Sequence, residues 1–223
     1  MSTATTTEST ASPPPWVPSP LYRLTLEKYE SLIASGFLSK RDDVHLINGY
    51  LVNRMPESPL RGAIREAVRL AIEALLPAAW HTRGGKGLRI PSQVSLPRPD
   101  LAVVRGVPRD YIARYPEPAD TALVVEVSYT SLNEDRALAD IYGAGGVPVY
   151  WIINLVDGQI EVYCHPGPHG YQTHEVLAPG HVLHVALGGV EIGAIEGPTS
   201  CPDGAESPML TPVPKPLPVG TGC

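Results

Sequence analysis

The chain has 223 residues, 43% of them hydrophobic, and a formal charge of −6 at neutral pH. That balance excludes a broad, non-specific grip on nucleic acid, because lysine and arginine supply most such affinity by neutralising phosphates, although it leaves room for a local basic groove. No run reaches the roughly 18 apolar residues of a membrane span, and the start has neither a basic region nor an apolar signal core, so a cytoplasmic protein without a membrane partner is expected.

Residues 1–19 are rich in Ser, Thr and Pro and nearly free of aliphatic side chains, and 198–223 read the same way. Such segments cannot bury enough surface to offset the entropy of ordering, so both are expected to be disordered. Residues 20–197 remain as one domain of roughly 180 residues, an ordinary size for a single core. The three cysteines, Cys164, Cys201 and Cys223, are odd in number and lack metal-ligand spacing, which argues against a disulfide framework.

Within that domain Thr25 can cap a helix through LEKYESLIASG, with Leu26, Tyr29, Leu32 and Ile33 at helical spacing and Gly36 as its stop. VHLINGYLV then sets Asn48-Gly49 between two apolar runs, a strong hairpin signal. Ser58-Pro59 opens a second helix whose Ile64, Val68, Ile72, Leu75 and Leu76 form one stripe, with Arg61, Arg65, Glu66 and Glu73 around it. LRIPSQV, PDLAVVRG and TALVVEVSY are three short runs that predict strands. LNEDRALADIYGAGG predicts a helix ending in glycines, and VPVYWIINL and QIEVY predict strands joined through Asp157-Gly158. The order implies an α/β protein with a mixed sheet flanked by helices.

ALVVEV is continuously apolar except for Glu126, as suits a central strand buried on both faces. A carboxylate there must be paired, protonated or metal-bound. Asp100, in RPDLAVV, stands at the end of a neighbouring strand candidate. Hard divalent cations take such oxygen ligands, and one or two carboxylates plus a substrate phosphate suffice for Mg²⁺. The spacing by itself also suits ordinary turn chemistry at Pro99-Asp100.

The segments VHLINGYLVNRMPESPL, RPDLAVVRGVPRDYIARYPEPADTALVVEVSYTSLNEDRA and YGAGGVPVYWIINLVDGQIEVY, from about Tyr22 to Leu187, resemble the Uma-type family of restriction-endonuclease-like proteins. That family is a branch of the PD-(D/E)xK nucleases. The resemblance implies a nuclease-like core, preceded by the added N-terminal helix and hairpin, with Asp100, Glu126 and the backbone carbonyl of Val127 as ligands of Mg²⁺ or Mn²⁺. It also marks departures. The superfamily lysine, two residues after the glutamate or in the following helix, is missing: Ser128 takes the first position and DRALADIY contains none. His45 stands where the hairpin usually carries a glutamate, Arg54 replaces a lysine and Arg61 a histidine. Ser95 and Tyr129 replace acids.

Two functions follow. One is metal-dependent hydrolysis of DNA by a homodimer with a degenerate site, in which Asp100 and Glu126 hold the ion. Arg136, with Lys86, Arg61 or His45, would supply charge to the phosphate, although arginine cannot act as a base. The other is a catalytically inactive nuclease fold serving as a binding or scaffold module. Lys86, in RGGKGLRI, also reads simply as a solvated lysine in a glycine turn, and Asp135 with Arg136 as a helix-start ion pair. His165, His169, His174, His181 and His184 crowd the C-terminal part without a familiar zinc spacing and read as surface hairpin residues. Tyr150 and Trp151 read as core aromatics, and Asp120 as the end of a turn.

Overall fold

The computed structural model describes residues 21–39, 41–56 and 58–178, together with the backbone of 182–187, 190–196 and 211–213. Residues 1–20 and most of 198–223 lie outside the described residues, as do Lys40, His181, Cys201, Lys215, Cys223 and the side chain of His184. Among the described residues no helix is long and apolar enough to cross a membrane.

The first helix, α1 (Leu26–Ala34), begins where Thr25 Oγ1 accepts from the Lys28 N–H at 3.3 Å. Gly36, at φ +76°, takes the left-handed conformation that ends it. Strands β1 (Val44–Ile47) and β2 (Tyr50–Asn53) form the hairpin, with Ile47 opposite Tyr50. Asn48 and Gly49 both have positive φ, the two-residue turn whose twist matches its strands. Leu26 and Tyr29 of α1 pack with Leu46 of the hairpin and with Leu96.

Helix α2 (Pro59–Glu73) has proline in its first turn and Ser58 Oγ accepting from the Arg61 N–H at 3.2 Å. Beyond it lie β3 (Trp80–Arg83), β4 (Leu101–Arg105), β5 (Thr121–Ser128), helix α3 (Leu132–Gly145), β6 (Val149–Asn154), β7 (Gln159–Gly167) and β8 (Gly170–Leu177). These six strands form one sheet in the order β3-β4-β5-β6-β7-β8, and only the β5–β6 pair is parallel, with α3 as its crossover. The α/β architecture, a mixed sheet flanked by helices, is the one expected. All eight residues of β5 are buried.

Alternation along the strands sorts the core into two faces. Leu101, Val103, Leu123, Val125, Val127, Trp151 and Ile153 pack with Ile64, Val68 and Ile72 of α2. Ala102, Val104, Val124, Tyr150 and Ile152 pack with Leu138, Ile141 and Tyr142 of α3. Gly143 makes the α3 contact close, because a Cβ there would stand 2.5 Å from the Gly170 carbonyl carbon.

Two expectations are corrected. LRIPSQV is not a strand: Pro91–Gln93 make a 3-10 turn and Val94 has φ +46°, so only the isolated bridges Ile90–Ser95 and Leu46–Leu96 form. The edge of the sheet is formed instead by β3, whose WHTR lacks the apolar run that would reveal it. Strands β9 (Val182–Leu187) and β10 (Val190–Glu196) form a separate antiparallel pair, extended by β11 (Thr211–Val213). That last strand falls within the tail expected to be disordered. Its Pro212 sits on an edge strand, where proline is tolerated.

Candidate metal and phosphate site

The register of the central strands creates the site. Leu101 pairs with Val125, so Asp100, just before β4, lies across from Glu126 on β5. The Asp100 N–H donates to Glu126 Oε2 at 3.0 Å, and the Val127 N–H donates to Asp100 Oδ2 at 2.8 Å. Asp100 is 2% exposed and Glu126 4%. The two carboxylates singled out in the sequence therefore meet, and Val127 joins them through its N–H.

Arg61, in the first turn of α2, provides the guanidinium. Its Nε and Nη2 donate to Asp100 Oδ2 at 3.1 and 2.8 Å, and Nη2 stands 3.9 Å from Glu126 Oε2. A residue that reads as part of the polar surround of α2 is thus buried. Burial opposes its charge, but the carboxylates of Asp100, Glu126 and Asp135 outweigh burial and hold its pKa above the usual value.

Helix α3 adds two groups from the other side. Tyr142 Oη donates to Glu126 Oε1 at 3.3 Å. Asp135 is 4% exposed and accepts from Ser131 Oγ at 2.7 Å. Burial first, then the charges of Asp100 and Asp135, push Glu126 well above the usual carboxylate range, and Arg61 offsets only part of this. Burial likewise raises Asp135, with Ser131 holding it back. Three buried carboxyl groups thus face a single buried guanidinium.

Glu126, Asp135 and Arg61 line a cleft of about 230 Å³ together with His45, Arg54 and Arg98. Arg54 Nη1 and Arg98 Nη1 both approach Asp43 Oδ1, each at 3.2 Å. Burial, then Arg54 and Arg98, lower the His45 pKa to about 4. His45 is therefore neutral at neutral pH and does not supply the charge expected of it.

Other expected residues sit elsewhere. Arg136 does not pair with Asp135 and does not face Asp100 or Glu126. Its Nε and Nη2 grip Glu161 of β7, with Nη2 at 2.6 Å from Oε1, because successive helical residues point about 100° apart and turn Arg136 away from the cleft. Asn154 and Tyr163 also donate to Glu161, at 3.1 and 2.9 Å. Burial pushes Glu161 upward, but these partners outweigh it and hold its carboxyl below the usual range. Lys86 is exposed on its glycine turn and lines no part of the cleft. Ser95, in place of an acid, is buried and accepts from the Asn48 N–H at 2.8 Å, bracing the hairpin. His174 stacks on Tyr163 with ring centroids 4.2 Å apart. Tyr150 and Trp151 are core residues as expected, and Asp120 ends the turn before β5, paired with Arg114 at 2.6 Å.

Sequence reasoning missed Tyr142, Arg98 and the inward role of Asp135. Asp135 and Tyr142 lie seven residues apart on one helix, a spacing that places them on the same face and could have been read. Arg98 carries no such signal, since it joins the site only through the fold of its loop.

Residues 26–194 match the family described as "Uma2: Putative restriction endonuclease". The chain belongs to that family. A solved structure described as a "putative nuclease belonging to DUF820 from Anabaena variabilis ATCC 29413" is similar to this Uma2 chain with a TM-score of 0.58. The match covers 73% of this chain and 89% of that one at 16% identity, and likeness at that level speaks for the fold alone. No curated protein matches the chain. Family and fold together mark it as a restriction-endonuclease-like protein.

The donor set can be tested against a divalent cation. Among the described residues no three acidic, histidine or cysteine side chains converge closely enough to enclose an ion. The oxygen donors nevertheless suit a hard cation that keeps several waters and needs only one or two carboxylates. Glu126 and Asp135 face the cleft, and Asp100 adjoins Glu126.

Proposed function

We propose that this protein hydrolyses phosphodiester bonds in DNA with the help of a divalent cation, Mg²⁺ or Mn²⁺, held by Glu126 and Asp100, with the Val127 carbonyl as a further donor. One observation carries the reading: three carboxyl groups, Asp100, Glu126 and Asp135, are buried around one guanidinium, Arg61, and Glu126, Asp135 and Arg61 line a cleft. A site built only for stability would balance or omit those charges, since unpaired buried carboxylates are costly.

A divalent cation bound there would polarise the phosphodiester and stabilise the leaving oxygen. The protein's own groups then orient the substrate. Arg54 and Arg98, which line the cleft, would contact phosphate oxygens, which arginine recognises through its planar fork. Neutral His45 lines the same cleft and can accept a hydrogen bond from water or from a substrate hydroxyl. Tyr142 and the Asp100 N–H keep the Glu126 carboxyl in its orientation.

The test is cleavage of supercoiled plasmid by the purified protein with Mn²⁺ or Mg²⁺, beside Asp100→Asn and Glu126→Gln. Nicking that needs the cation and disappears in both variants supports the reading. Absence of nicking in the folded wild type overturns it in favour of a second reading, a non-catalytic binding module. That alternative is favoured by one observation, the saturation of Asp100 Oδ2 by protein donors: Arg61 twice and the Val127 N–H.

A further inference from the structure

We infer that Arg61 is the resident cation of this site, a built-in competitor that must withdraw before a divalent ion can engage Asp100 Oδ2. The inference rests on the metal reading above and concerns how that site is controlled. Three observations lead to it. First, the Arg61 guanidinium contacts Asp100 Oδ2 at 2.8 Å and comes within 3.9 Å of Glu126 Oε2, so it fills the position from which a cation would bridge the two carboxylates. Second, Asp100 Oδ2 already accepts from the Val127 N–H, leaving no lone pair on that oxygen for an ion while both Arg61 donors remain. Third, Arg61 has somewhere to go, because its side chain lines the cleft that Arg54 and Arg98 also line.

Charge explains why the exchange is balanced. With Arg61 in place, one positive group serves three carboxyl groups. A divalent ion in its stead carries twice the charge into the same surroundings and repels the guanidinium across a low-dielectric gap. Arg61 also lies in the first turn of α2, where the helix dipole disfavours a cation. Once displaced, it joins Arg54 and Arg98 at the cleft, where an anionic strand would meet it. Metal and phosphate binding would thereby favour one another, each stabilising the arrangement that the other requires.

The experiment is calorimetric titration of Mn²⁺ into the full chain as wild type, Arg61→Gln and Arg61→Lys, with circular dichroism on each to establish folding. Arg61→Gln keeps hydrogen-bonding capacity but removes the competing charge, and is expected to bind Mn²⁺ at least tenfold more tightly than wild type. Arg61→Lys keeps a charge without the fork and is expected to fall between them; it carries the test if the glutamine variant does not fold. Equal affinity in all three overturns the inference while leaving the metal reading intact. Weaker binding in Arg61→Gln also overturns it, by making Arg61 an organiser of the carboxylates. Binding by Arg61→Gln alone upholds the inference but sinks cation-dependent catalysis by the wild type. No binding by any folded form removes both.

Discussion

Arg61 holds Asp100 by a single carboxylate oxygen, donating to Oδ2 from Nε at 3.1 Å and from Nη2 at 2.8 Å. The pair joins the start of α2 to the start of β4 across 39 residues of sequence. It ties the acid before a strand to a base at a helix start that lines the cleft.

The first prediction concerns pH. Glu126 and Asp135 titrate above their ordinary values of 4.5 and 3.8, so the folded chain retains protons that the unfolded chain releases. The stability associated with those protons is fully present below the unfolded values and is lost as pH rises through the folded ones. Urea midpoints measured without divalent cation should fall as pH rises above the ordinary carboxylate values, at up to about 1.4 kcal/mol per pH unit for each group. Glu126→Gln and Asp135→Asn should each flatten the slope. Glu161, held below its ordinary value, acts in the opposite sense and loses its contribution as pH falls. A wild-type slope of zero or of opposite sign would contradict the burial of charge described for the cleft.

A second prediction separates Arg136 from the site. Arg136→Gln leaves the fully buried Glu161 carboxylate with Asn154 and Tyr163 as its hydrogen-bond donors and His174 Nε2 at 3.6 Å. Because Arg136 is itself 44% exposed, the loss should be below that of a wholly buried pair, about 1–3 kcal/mol by chemical denaturation. Mn²⁺ affinity, measured by calorimetry, should be unchanged. A variant of native stability that has lost metal affinity would place Arg136 in the site after all.

The arginines that line the cleft beside His45 predict a salt effect. Arg54→Gln and Arg98→Gln should weaken binding of a fluorescent DNA duplex to a similar degree for every sequence tried. Each should also lower the slope of log affinity against log salt by about 0.9 per phosphate contact removed. Sequence-dependent losses would indicate base reading instead, and unchanged slopes would take these residues out of the DNA path.

Gly143→Ala is expected to destabilise the fold. Alanine is favoured over glycine in a helix by about 1 kcal/mol. Here its methyl would lie 2.5 Å from the Gly170 carbonyl carbon and 2.6 Å from the Tyr171 nitrogen, both backbone atoms that cannot simply rotate aside. Overpacking of this kind costs about 1–3 kcal/mol and should outweigh propensity. A gain in the thermal midpoint would show that α3 sits further from β8 than described.

Local rules determined much of this protein. Thr25 and Ser58 start α1 and α2, Asn48-Gly49 closes the hairpin, and the apolar run around Glu126 is the central buried strand. These signals are legible because they act between neighbours in the chain: a cap, a turn, a periodic stripe. Asp100 and Glu126 were legible as well, since a lone acid beside or within an apolar strand is conspicuous. Only the tertiary structure decided which charges those acids meet. Arg136, close to Glu126 in sequence, is turned by helical geometry toward Glu161, whereas Arg61, 39 residues before Asp100, is brought onto its carboxylate. The same holds for Asp135, whose inward direction depends on how α3 lies across the sheet, and for β3, whose polar sequence becomes a strand only by pairing with β4. Electrostatic partnership depends on distance through space, and that distance is set by the packing of the whole sheet and its two helices.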